Sequence, residues 1–264
     1  FNFADHPATV KLLLTLALPT LVEQFLSAGI GFTDTLVAGH TGDTPEFHAA
    51  SAAAVGAMTY LQWFAGLMTA AFNAGAMAVI ARSIGAKRPR LANRVAGTVC
   101  SGALLVGVVI AVLFFSLAPF LVAFLFRLHG LAAVLGTQYL RIMSFTICMQ
   151  TLGQVGMACL RGAGDTLRPM LVTTAIFLVN GVASPALTFG WFGLPEMGIQ
   201  GNAVGTLLAF AAAGITTLGF LLSSRAGLRL RGRHFRIRLH LLKRVFRIGI
   251  PSWAEGCILW GGQM

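Results

Sequence analysis

Six runs of apolar residues follow one another along the chain, at about 11–38, 49–81, 93–117, 131–160, 168–190 and 200–223. A seventh begins near Arg244 and runs to Met264. Crossing the hydrocarbon core takes roughly 20 apolar residues in a helix. The pattern therefore predicts an all-α integral membrane protein. Residues 1–240 read as a six-helix transmembrane bundle with a basic linker at 225–243, and 241–264 as the beginning of a second unit.

The first run breaks its own pattern with Pro19, Glu23 and Asp34. An ionisable residue inside a bilayer is expensive unless it faces a polar interior, so these acids are functional candidates. Glu23 and Asp34 are three helical turns apart, which puts them on one face about 16 Å apart along the axis. Asp34 also fits an acid at the outer interface, some way past Lys11. Desolvation favours the first reading, because it brings a carboxyl into the range where it takes up and releases a proton. Pro19 removes a backbone hydrogen bond and permits a helix bend, or fixes a static kink.

Composition agrees with the spans. The chain is 56% hydrophobic and 10% charged, against about 25% charged in soluble domains. The net charge of +11 does not point to nucleic acid, because the basic residues sit between apolar spans. All Lys and Arg other than Arg127 and Arg141 fall on one side of the six spans, while Asp43, Glu46 and Glu196 fall on the other. The positive-inside rule then places both ends of the bundle in the cytoplasm of a multi-pass cell-membrane protein. The basic linker suits anionic lipid headgroups. Phe1 begins the chain and no small-residue cleavage site follows the first run, so no signal peptide is read. Cys100, Cys148, Cys159 and Cys257 lie in apolar runs and read as small buried residues.

A repeat is visible across the chain. Lys11 to Glu23 reads KLLLTLALPTLVE and Lys243 to Glu255 reads KRVFRIGIPSWAE, aligning Pro19 with Pro251 and Glu23 with Glu255. Both copies enter from the basic side, as a parallel duplication requires, and transporters built this way hold their sites at the repeat interface. Glu23 and Glu255 then become secondary polar candidates.

Partners for Asp34 are sought at its own depth. Counting rise along spans five and six puts Asn180, Ser184 and Thr206 in the same half of the membrane. Their oxygens suit hydrogen-bonding a carboxyl or coordinating a hard cation, sodium at Asp34 and Asn180 being the metal case. Taken singly, Ser184 and Thr206 read more readily as glue between helices. Met58, Trp63, Phe64, Met68 and Phe72 could line a drug-accepting surface, although packing or lipid contact explains each. His40 and His48 read as surface residues. The turn from Arg161 to Thr166 is Gly-rich but lacks the Gly-Lys-Ser/Thr of a phosphate loop; a tight turn with a helix start at Thr166 is its plain reading. There is no catalytic triad, metal cluster or dinucleotide fingerprint, so neither an enzyme nor a cofactor is expected.

These residues together resemble the multidrug and toxic compound extrusion (MATE) family. The carrying features are Pro19 with Asp34, Gly39 and Gly42; Gly85-Ala86; the turn Arg161-Gly162-x-Gly164-Asp165-Thr166 with Pro169-Met170; Asn180 with Pro185; and Gly198, Gly201 and Thr206. The resemblance implies a twelve-helix antiporter of two six-helix lobes about a V-shaped cavity, this chain being the first lobe and part of helix seven, with the second lobe as its partner. It implies cation-coupled export, by proton or sodium, of small cationic or amphipathic organic compounds. Asp34 would be the coupling acid, Asn180 and Thr206 its polar partners, and Pro19 the bending residue.

Two departures from the family's pattern matter. One branch carries an Asp four residues after the Asn, where this chain has Ser184; another has a helix-seven Glu at the position of Leu259. With fewer acids, single-proton coupling through Asp34 is expected over tight sodium binding. The alternatives are a lipid-linked precursor flippase of a related fold, weakened because no Arg lies inside spans one, two, five or six, and a non-transporting membrane scaffold subunit, which the echo at 243–255 argues against.

Overall fold

A computed structural model describes residues 7–42, 44–223, 228 and 230–261, excluding the side chains at 7–13, 16, 233, 256 and 259–261. Lys11, Asp43, Arg225, Arg229 and Arg233 in the charge argument, Leu259 in the family comparison and Met264 at the end of the last run therefore fall outside the described side chains. The elements are α1 (Pro7–Gly39), α2 (Pro45–Gly85), α3 (Pro89–Phe120), α4 (Gly130–Gly162), α5 (Leu167–Phe189), α6 (Ile199–Leu222) and α7 (Leu239–Gly261). No strand occurs among the described residues.

α1 to α4 outrun their apolar stretches at both ends. α2 begins at Pro45 because Thr44 accepts a hydrogen bond from the Phe47 backbone at its start, with Pro45 in the first helical position, and it runs to Gly85. α3 does not stop at its internal Pro119 but runs on into a π-helical turn, Leu121–Leu125. Among the described residues, five helices (α2, α3 with its π turn, α4, α5 and α6) are both long and apolar enough to cross a membrane. α1 holds 33 residues, about 50 Å of helix, and turns Leu14, Leu18, Phe25 and Phe32 outward. That outward side is what an acyl-chain environment tolerates and water does not.

α4 is the central post, packing against α2, α3 and α6, while α5 pairs closely with α6 and α1 leans on α5 and α2. Two apolar cores fill the ends of the bundle. One gathers Phe72, Ile80, Val95, Leu160, Leu221 and Val245 near the basic loops. The other gathers Met58, Leu61, Phe114, Leu140, Met143 and Ile199 at the opposite end. A smaller cluster of Ile30, Met157, Val172 and Ile176 seats α1 against α4 and α5.

The basic linker is more than a charged tether. Leu228 and Leu230 are buried in the first core. Ser101 donates to the Phe235 carbonyl at 2.7 Å and Thr98 to that of Arg236 at 3.2 Å. Small residues along α3, with Gly97 directly under His234, make the groove that holds it. α7 then runs along α2, where Gly75 lies under the Val245 carbonyl and Gly249 against Ala71. Such glycine contacts are how membrane helices approach closely.

Candidate functional site

Asp34, half-buried on α1, faces the seam between α5 and α6. Asn180 on α5 donates from Nδ2 to Asp34 Oδ1 at 3.1 Å. The same nitrogen lies 3.1 Å from Ser184 Oγ and 3.0 Å from Thr206 Oγ1. The Thr206 hydroxyl lies 3.3 and 3.4 Å from the two carboxylate oxygens, and 3.0 Å from the Asn202 carbonyl. Asn202 in turn donates from Nδ2 to the backbone carbonyl of Asp34 at 3.3 Å. Asn180, Ser184, Asn202 and Thr206 are all fully buried or nearly so.

Local sequence explains why these groups meet. A Cβ on Gly205 would sit 2.6 Å from the Ser184 Cα, and Gly201 is equally tight against Leu187. Gly201 and Gly205 together form a small-residue stripe that lets the α6 backbone lie directly on α5. Asn202 and Thr206, four apart, then share one face of α6 and both reach α1.

The donors are in short supply. An amide has two N–H hydrogens and a threonine hydroxyl one, yet Nδ2 of Asn180 has three acceptors in range and the Thr206 hydroxyl has three. Oδ1 of Asn180 and Oδ1 of Asn202 accept from no group among the described residues. A proton arriving on Asp34 would turn an acceptor into a donor in a network that has acceptors to spare. A small cation would instead need the Asn180 amide to turn its oxygen toward Asp34. No group of three or more His, Cys, Asp or Glu that would hold a metal occurs among the described residues.

Asp34 opens on a cavity of about 670 Å³. α2 lines it with Thr59, Gln62 and Asn73, and α4 with Tyr139, Gln150, Gln154 and Arg161. The α4 residues fall on one face at helical spacing, a polar stripe inside an apolar span that sequence reading passed over, as it did Asn202. The same test that singled out Asp34, polar residues recurring at a helical period within a membrane span, would have found them.

Glu23 lines the same cavity, three turns from Asp34. It is the partner of Arg161, whose Nη1 lies 2.7 and 2.8 Å from the two carboxylate oxygens. Arg161 was expected in a turn; it belongs instead to the last turn of α4 and reaches the cavity. The rest of that motif is structural. Gly162 packs against Met77 on α2, Gly164 takes φ +87°, and Asp165 accepts from the Arg168 backbone N–H at 3.1 Å and pairs with its guanidinium. Thr166 precedes α5 as its cap position.

The remaining candidates divide. Pro19 is half-buried within a helix that continues through it to Gly39. Met58 and Trp63 line the cavity, Phe64 is exposed, and Phe72 is buried edge-on to Phe246. Met68 is not among the lining residues. Glu255 is exposed on α7, away from the cavity that Glu23 lines. His48 is less superficial than expected, with Nδ1 3.0 Å from the Gly39 carbonyl across the first turn.

Known proteins resemble this arrangement over most of its length. The family pattern described as MatE matches residues 19–185. A relative from Thermotoga maritima, "Probable multidrug resistance protein NorM", is 30% identical over 261 residues, covering 98% of this chain and 54% of its own. "Uncharacterized transporter YisQ" of Bacillus subtilis is 26% identical over 248 residues, 92% of this chain and 52% of its own. The solved structure "Crystal structure of MATE in the bent conformation" superimposes with a TM-score of 0.80 at 25% identity, over 92% of this chain and 52% of that one. The chain thus spans about half the length of the curated relatives it matches.

Proposed function

Because the chain belongs to the MatE family of membrane transporters, we propose that it forms the first lobe of a cation-coupled antiporter that exports small organic compounds. Residues 1–240 supply the six-helix lobe and 241–264 begin the second, which completes the transport path. The basic loops lie in the cytoplasm, so α1 enters from that side of the cell membrane.

The observation that carries this reading is the shared network at Asp34. An acid in a membrane helix, hydrogen-bonded by Asn180 and Thr206 and open to a large cavity, can hold either a proton or a positively charged compound. Competition between the two for one carboxylate is the simplest antiport: loading of Asp34 by the coupling ion expels the exported cation, and the lobes then rock to present the emptied site to the other side. The single carboxylate, with the amide nitrogen of Asn180 turned toward it, favours a proton over sodium as the coupling ion. The exported class is cationic or amphipathic, matching Asp34 and the aromatic residues Trp63, Tyr139 and Phe210 that line the same cavity.

The test is export by the protein carrying this chain in vesicles, with proton and sodium gradients imposed separately. Export driven by the proton gradient alone supports the reading, and sodium-driven export indifferent to the proton gradient contradicts proton coupling.

A further inference from the structure

Arg127 and Arg141 are the two basic residues that fall on the side of the spans opposite the basic loops, and Arg141 is not on a loop at all. It stands eleven residues inside α4, about 16 Å from the end at Gly130. α4 is about 50 Å long and the hydrocarbon core about 30 Å thick, so with the excess shared between both ends Arg141 lies about 6 Å below the nearer boundary. Its side chain is exposed. Among the described residues its guanidinium has no hydrogen bond or ion pair, and no Asp or Glu occurs between Glu46 and Asp165. What it touches is Phe115 of α3, whose ring centroid lies 5.6 Å from the guanidinium carbon. Contact with a ring uses none of the five N–H donors.

The surface around it suits acyl chains. α3 is the most apolar and least buried of the five spans. Phe115 and Phe145 meet edge to face at 5.8 Å, and both are exposed, as are Val112 and Val134. α4 is flanked by α3 and α6, which make no substantial contact with each other. Gln138, one turn before Arg141, bonds Gln200 of α6 at 2.8 Å. Arg141 therefore stands in a trough between α3 and α6, floored by α4. Two residues on from Tyr139, it points away from the cavity that Tyr139 lines. α7 lies along α2 and meets α3 near Gly102, in the half toward the basic loops.

A cation among acyl chains is unfavourable unless it reaches water or an anion. Side chains tilt toward the N-terminus of their helix, and for α4 that is the nearer boundary, where lipid phosphates lie. We propose that Arg141 binds the phosphate of an anionic glycerophospholipid in the leaflet opposite the basic loops, with one acyl chain in the trough along Phe115 and Phe145. A zwitterionic headgroup brings its own ammonium to share the phosphate, whereas an anionic one leaves that charge to the protein. Arg127, exposed at the α3–α4 junction, adds positive charge on the same side. Only membrane crossing is needed for this, not a coupling ion, an exported compound or the side that is cytoplasmic.

Photoreactive phosphatidylglycerol and phosphatidylcholine with the same diazirine acyl chain test it. Each is added at trace level to liposomes of neutral lipid holding the full protein that carries this chain, irradiated, and the labelled peptides are mapped by mass spectrometry. In the wild type, residues 112–145 should take up phosphatidylglycerol over phosphatidylcholine by about fivefold or more. Arg141→Gln should bring that ratio close to one with the thermal midpoint unchanged. Arg90→Gln, exposed at the other end of α3, should leave the ratio at its wild-type value. Equal labelling by the two lipids in the wild type overturns the proposal without any variant, as does a preference that survives Arg141→Gln. Cross-linked dimers through 112–145 in place of lipid adducts would give the trough to a second copy of the protein and overturn it as well. Loss of coupled export in a gradient assay with the labelling ratio intact would leave this inference standing and remove only the antiport reading.

Discussion

The Asn180 amide nitrogen lies 3.1 Å from Asp34 Oδ1 and stands equally close to Ser184 and Thr206, so one side chain on α5 ties the acid of α1 to both neighbouring helices. Replacing Asn180 with Ala removes two N–H donors shared among three acceptors. We expect a loss of about 1–3 kcal/mol in stability, read as a lower thermal midpoint in detergent, with coupled export falling further than binding of a cationic dye. Equal losses in both would assign Asn180 a purely structural part.

Gly205 makes that network possible by letting α6 rest on Ser184. Gly205→Ala would push a Cβ to 2.6 Å from the Ser184 Cα, and the contact is with backbone, which cannot turn aside. Overpacking of this kind costs about 1–3 kcal/mol. The control is Gly219→Ala on the same helix, where a Cβ meets nothing within 4 Å; its thermal midpoint should be unchanged or higher.

How much of this was legible beforehand depended on whether a signal was local. The apolar helices and the meeting of Asp34 with Asn180, Ser184 and Thr206 could be read because hydropathy and helical rise are one-dimensional quantities: counting residues puts the four at one depth. Glu23 was harder. Its partner Arg161 is 138 residues away, and counting charges assigned that arginine to a loop, because side-chain direction at a helix end is set by packing. The docking of the linker was not legible for a similar reason, since its arginines advertise solvent while Leu228 and Leu230 are buried in the first core. Asn202 and the α4 stripe were visible in principle and overlooked.

The Glu23–Arg161 pair should show strong coupling in a double-mutant cycle. Arg161→Gln alone leaves a largely buried carboxylate without its cation, so it should cost more stability than Glu23→Gln with Arg161→Gln together, by about 1–3 kcal/mol. Additive thermal shifts would mean that the pair contributes nothing to holding α1 over the cavity.

Ser101→Ala removes the 2.7 Å bond to the Phe235 carbonyl that docks the linker in its groove. The expected loss is about 0.5–1.5 kcal/mol, with faster hydrogen exchange in residues 230–238 and no change at α5 or α6. Unchanged exchange in that segment would show that Thr98, Leu228 and Leu230 hold it without Ser101.

The central claim is that Asp34 carries the coupling ion, and Asp34→Asn addresses it most directly. Asn keeps the size and hydrogen-bonding capacity of the side chain but neither ionises nor takes up a proton in this range. In vesicles containing the protein that carries this chain, an imposed proton gradient should drive export of an organic cation by the wild type and not by the Asp34→Asn variant, while the variant remains folded. Export by Asp34→Asn at the wild-type rate, still dependent on the gradient, would contradict the account.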